Sequence, residues 1–101
     1  MAYELLISRQ TERALRKFPA HIRVTIVTET ERLAEQPYLG EQLKGRFRLL
    51  RSLHIIVQRV HYRVVYEVIE ATQHIHIYAV GNRENFYKKL ERLKLKVSQA
   101  A

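Results

Sequence analysis

A small α+β domain, an antiparallel sheet with helices on one face, is the fold class this chain predicts, and three features carry the prediction. A short apolar strand near the N-terminus is followed at once by residues of helical period. Apolar and polar residues then alternate from Val60 to Val68, with the period of two that a strand requires. A further strand ends at Gly81, after which apolar residues return to helical spacing.

Tyr3-Glu4-Leu5-Leu6-Ile7 reads as the first strand, and Ser8 as the N-cap of the next helix, its hydroxyl able to accept a first-turn N–H. Thr11 to Lys17 suits a short helix with Ala14, Leu15 and Phe18 on the inward side. Phe18-Pro19 interrupts it, and Pro19 can open a second helix because its missing N–H is not needed there. From Ala20 to Gln36 the residues Ile22, Ile26, Val27, Leu33 and Ala34 recur at helical spacing. Pro37 ends that run, since the residue before a proline is driven out of the α region.

After the turn Pro37-Tyr38-Leu39-Gly40, the pattern predicts strands at Phe47-Arg48-Leu49-Leu50-Arg51, at Val60 to Val68 and at His74 to Val80. In the second of these, Val60, Tyr62, Val64, Tyr66 and Val68 face the helices, which leaves His61 and Arg63 together on the opposite face. Asn82 caps a final helix from Arg83 to about Val97, with Phe86, Leu90, Leu93 and Val97 as its stripe. The order is β-α-α-β-β-β-α, the terminal helix crossing an edge or end of the sheet. No repeat, low-complexity tract or linker divides it, so residues 1–101 read as a single domain.

Composition narrows the function. The hydrophobic fraction of 47% can build one core in 101 residues and argues against disorder. Cysteine is absent, which excludes disulfides and thiolate zinc sites and suits a reducing cytosol. No apolar run approaches the roughly 20 residues that cross a bilayer, and the N-terminus lacks signal-peptide order. A cytoplasmic protein without a membrane partner is expected. Net charge is +8, the pI is near 10.1, and every acid is Glu.

That charge is concentrated. From Gln42 to Tyr66 there is no acidic residue, while Lys44, Arg46, Arg48, Arg51, Arg59 and Arg63 fall inside, with His54 and His61 between them. Like charges held on strands repel unless an anion offsets them, and a polyanion such as nucleic acid is the obvious one.

Three local patterns add a resemblance. Leu50-Arg51-Ser52, then Tyr62-Arg63-Val64-Val65-Tyr66, then Val80-Gly81-Asn82-Arg83 followed by Tyr87, taken with the element order over essentially the whole chain, resemble the RelE/ParE superfamily of toxins from bacterial toxin–antitoxin pairs. The resemblance implies a RelE/ParE-like fold and an endoribonuclease that cuts mRNA, often in the ribosomal A site, inhibiting translation. It also implies a cognate acidic antitoxin as partner in a heteromer. The same fold hosts gyrase poisons, so a ParE-like toxin without nuclease activity is the alternative. A third reading, a non-catalytic RNA-binding module, fits less well because the tyrosines mostly fall on the core face, whereas stacking platforms expose them.

Metal-free RNA cleavage needs a base for the ribose 2′-OH, cations around the phosphate and a proton for the leaving 5′-oxygen. Arg63 matches the catalytic family position, and its planar fork suits two phosphate oxygens; the plain alternative is a salt-bridging surface arginine. Arg83 and Tyr87, four apart, share one face near the positive end of the final helix. Arg83 is assigned to phosphate stabilisation, because a guanidinium rarely gives up a proton. Tyr87 is open to base stacking, proton transfer or packing beside Phe86 and Leu90. His61 shares a strand face with Arg63, and an imidazole there is a candidate base, the alternative being a solvated strand histidine. His54 is similar. Lys44, Arg46, Arg48, Arg51 and Arg59 are the candidate RNA contacts. His74 and His76 share a strand face without a neighbouring carboxylate or cysteine, so no metal or other cofactor is expected.

The sequence departs from the family at one point. Members that depend on the ribosome carry two lysines on the strand leading into the leucine-arginine-serine pattern. That register places Phe47 and Leu49 there, with Arg46 and Arg48 one residue out and so on the other face of a strand. The additional residues from Leu53 to His61 allow a register shift or a bulge. The stripe on the final helix, with the neighbouring sheet edge, forms either core or a groove for an amphipathic antitoxin segment.

Overall fold

The computed structural model describes residues 2–82. The final helix expected from Arg83, with Arg83 and Tyr87 on it, lies outside the described residues. Within them run β1 (Glu4–Ile7), α1 (Arg9–Arg16), α2 (Ala20–Glu31), β2 (Glu41–Gln42), β3 (Arg51–Val57), β4 (Val60–Ile69) and β5 (His74–Asn82), in a sheet of order β1-β5-β4-β3-β2. The pairings are antiparallel except for β1 with β5, where Leu5 lies beside Ile75 in parallel register. The antiparallel sheet expected from the sequence is present, with β1–β5 as the one parallel pair among the described strands. β1 reaches the other strands through helices, and only a hairpin connection obliges antiparallel pairing.

The helices follow their local signals with small shifts. Ser8 caps α1, its hydroxyl accepting from the Thr11 N–H at 3.1 Å. Pro19 stands one residue before α2, and its carbonyl accepts from the Ile22 and Arg23 N–H groups. The α-helix stops at Glu31, short of the expected Gln36, and Arg32–Ala34 tightens into a 3₁₀ turn. The helical side of the sheet holds the main core, where Ile26 and Leu33 meet Leu53, Ile55, Tyr62, Val64, Tyr66, Ile75 and Ile77.

A bulge gives the opposite face its own small core. Val65 pairs with Ala79 and Tyr66 with Ile77, so Tyr78 is the extra residue on β5. The Thr11 hydroxyl donates to the Tyr78 carbonyl at 2.8 Å, which ties α1 to the bulge. Tyr78 and Ala79 both join Leu50 and Val65 on the second face, with Leu43 and Phe47 packed alongside.

This second core overturns the strand expected at Phe47–Arg51. Gly45, at φ +63°, opens a 3₁₀ turn over Gly45–Phe47, and the Leu43 N–H donates to the Leu50 carbonyl, closing the loop. Phe47 and Leu50 are apolar because they cover Val65, not because they pair with a neighbouring strand. Lys44, Arg46 and Arg48 therefore ride on a loop.

One buried hydroxyl fixes the turn that precedes that loop. The Tyr66 hydroxyl donates to the Pro37 carbonyl and accepts from the Gly40 N–H, both at 2.8 Å. Burial pushes the Tyr66 pKa up, against smaller lowering effects from Gly40 and Arg51. A Cβ on Gly40 would stand 2.7 Å from the Tyr66 oxygen, so no larger residue fits there without displacing the ring. Tyr66→Phe orphans the buried Gly40 N–H and is expected to destabilise the fold by about 1–3 kcal/mol in urea unfolding. An unchanged midpoint would show that water replaces the hydroxyl at no cost.

Candidate active site

The period of two on β3 and β4 sets Ser52, His54 and Ile56 beside His61, Arg63 and Val65 on the face away from the helices. His54 is the direct cross-strand partner of Arg63, and Ile56 of His61. Arg63 is half-buried. One of its terminal nitrogens reaches the Ser52 hydroxyl at 3.4 Å, a long hydrogen bond, while its Nε is buried with no hydrogen-bond partner among the described residues. A buried donor on a cation without an acceptor is costly, and an anion oxygen would relieve it.

Beside this guanidinium, His54 Nε2 lies 2.6 Å from His61 Nδ1, and the two rings lie nearly coplanar, edge to edge, with planes 17° apart and centroids 4.8 Å apart. A hydrogen bond at that distance needs an N–H on one ring and a lone pair on the other. A neutral pair joined in this way carries one further N–H and one further lone pair on its outer nitrogens, whichever tautomers it takes. The pair thus offers a proton donor and a proton acceptor together, next to a cation suited to phosphate.

A cleft of about 410 Å³ opens alongside, lined by Glu41, Gln42, Leu43, Lys44, Phe47 and Arg63. A second, of about 280 Å³, borders Glu41, Ser52 and His54. The cation set is smaller than the sequence implied. Lys44 lines the first cleft, Arg46 lies 5.0 Å over the Phe47 ring, and the Arg48 carbonyl accepts from the Gln42 side-chain amide at 2.9 Å.

Arg51 belongs to the other face, as its alternation with Ser52 requires. Its Nε donates to the Gly40 carbonyl at 2.9 Å, and its guanidinium covers the Tyr38 ring. The Tyr38 hydroxyl donates to Glu70, which pushes its pKa up to about 12. Arg59 sits in the two-residue β3–β4 turn, where Gln58 and Arg59 both have positive φ, roughly 13 Å along the strand from Arg63.

Leu50-Arg51-Ser52 leads into β3 at its start, so the outward positions beside Arg63 are Ser52 and His54, while Phe47 and Leu49 precede the strand. Gln58-Arg59 between two apolar runs was the available signal. Counting outward from a two-residue hairpin turn sets His54 against Arg63. Glu41 escaped notice because it stands one residue before the acid-free stretch and acquires its place only by pairing with Ser52.

Residues 5–91 match the family described as the ParE-like toxin of type II bacterial toxin–antitoxin systems. The chain belongs to this family. Among solved structures, the toxin is similar to a mutant E. coli RelE in the free state, at 22% identity and TM-score 0.77, over 96% of this chain and 100% of that one. It is similar to the Mycobacterium tuberculosis RelBE2 toxin–antitoxin complex, at 22% identity and TM-score 0.71, over 82% and 100% of the two chains. The archaeal RelE–RelB complex of Pyrococcus horikoshii matches at 21% identity and TM-score 0.60, over 83% and 98%. These likenesses establish a shared RelE fold. No protein of curated function matches the toxin significantly.

Proposed function

We propose that this toxin is a metal-independent endoribonuclease that cleaves mRNA, in the ribosomal A site, and so inhibits translation. The observation that carries the reading is the buried Nε of Arg63, unpartnered among the described residues, which lies next to the hydrogen-bonded His54–His61 pair while Arg63 itself lines a cleft with Lys44. The acceptor nitrogen of the pair takes the proton of a ribose 2′-OH as the 2′-oxygen bonds to the adjacent phosphorus. The P–O5′ bond then breaks, and the departing oxygen takes a proton from the donor nitrogen. Arg63 balances the charge that gathers on the phosphate oxygens. Lys44 holds the RNA backbone at the cleft, with Arg46 and Arg48 on the same loop. From the resemblance come Arg83 as a second phosphate cation and Tyr87 for stacking or proton transfer. The partner is a cognate acidic antitoxin in a toxin–antitoxin heteromer, in keeping with the toxin's net charge of +8 and with the antitoxin-bound state of the M. tuberculosis relative.

The family description, ParE-like, favours one second reading, a gyrase poison without chemistry of its own. Brief expression in cells, with RNA 5′ ends mapped and plasmid supercoiling followed, separates the two. New 5′ ends inside translated messages are the expected result. Intact messages with altered supercoiling would replace the nuclease with the gyrase poison.

A further inference from the structure

We propose that Glu41 makes the cleft beside Arg63 a nucleobase subsite that selects guanine. The inference rests on the RNA-cleaving reading and adds to it the base the site prefers. Glu41 is exposed on the edge strand β2, and its pairing with Ser52 puts it on the face of Arg63 and His54. It lines the first cleft on that face, and also a second at the sheet edge that Glu29, Arg32 and Leu39 share. Although Lys44 and Arg63 line the first cleft with it, Glu41 makes no ion pair or hydrogen bond through its side chain among the described residues. A free carboxylate on a surface built for phosphate repels the RNA backbone. It gains from RNA only where a base turns donors toward it.

The Watson–Crick edge of guanine presents N1–H and N2–H side by side, matching the two oxygens of one carboxylate. Adenine and cytosine offer a single amino group next to a ring acceptor. Uracil flanks its one N–H with two carbonyl oxygens, which the carboxylate repels. Guanine is therefore the base this acceptor distinguishes, and uracil the one it rejects.

The rest of the cleft suits a flat ring. Phe47 lines it, packed on Leu50, Val65 and Ala79, and an aromatic ring is the kind of surface that holds unpaired RNA bases. The bond from the Gln42 amide to the Arg48 carbonyl ties β2 to the loop, so the walls are held before RNA arrives. A volume of about 410 Å³ lies within the range of small-ligand pockets and admits one base with part of its sugar.

The test is equilibrium binding of the full-length toxin to non-cleavable 2′-O-methyl heptamers, all uridine except for a central G, A, C or inosine. Wild type is expected to bind the G heptamer roughly 5- to 150-fold more tightly than the all-U heptamer, with inosine in between because it lacks the N2 amino group. Glu41→Gln, at an exposed position, is expected to keep its thermal midpoint and to lose the guanine preference, binding the all-U heptamer more tightly than wild type because the repelling charge is gone. Binding without that preference, or a preference that survives in Glu41→Gln, overturns the subsite and leaves the RNA reading in place. Failure of every heptamer to bind removes the subsite, while the RNA reading is decided separately by the 5′ ends mapped in cells.

Discussion

Replacing Arg63 with alanine is expected to lower message cleavage by roughly 10²–10³-fold, about 2.7–4 kcal/mol of transition-state stabilisation, by analogy with the loss of one oxyanion donor. The guanidinium is half-buried, and its Nε has no partner among the described residues, so it keeps a donor for a phosphate oxygen. Charge on a phosphate is greatest in the transition state, and the loss should therefore fall on the rate. RNA binding should fall much less, since the loop carrying Lys44, Arg46 and Arg48 still meets the backbone. Antitoxin binding should survive. Growth arrest and 5′-end formation, measured for wild type and variant at matched expression, check the result. A fully toxic Arg63→Ala toxin would sink the active site proposed for this face.

The histidine pair should show an equally large effect with a different signature. His61→Ala is expected to reduce cleavage by about 10²–10⁴-fold, the usual weight of positioned acid–base catalysis. His54→Ala should come close to it, because the rings act through a shared hydrogen bond of 2.6 Å. Removing both should cost little more than removing one, since groups that act as a unit are non-additive. Independent, additive losses would reduce the histidines to surface residues and pass the proton transfers to other groups.

How much of this was legible beforehand depended on the range of the interaction. Ser8 as a cap, the break at Phe18-Pro19 and the two faces of Val60–Tyr66 could all be read along the chain. Each is enforced within a few residues, by an orphan N–H, a missing N–H or the pleat of a strand. For the same reason His61 and Arg63 were correctly placed on one face. The apolar run Phe47–Leu50 was misread because its hydrophobicity answers to Val65 and Ala79 across the sheet. A local pattern records that a side chain is buried but not what buries it.

By itself, then, the sequence determined the α+β class, the family pattern around Tyr62–Tyr66 and the excess of positive charge. Which residues meet was decided by the tertiary structure. The two-residue turn at Gln58–Arg59 slides β3 until His54 lies against Arg63, and so brings His54 to His61. The pairing of β2 with β3 carries Glu41 to the same face and assigns Arg51 to the other. Strand register is a relation between segments distant in sequence, and a shift of one residue exchanges the faces of a whole strand. The periodicity of either strand is the same before and after such a shift, so only the folded pairing could choose the residues of the site.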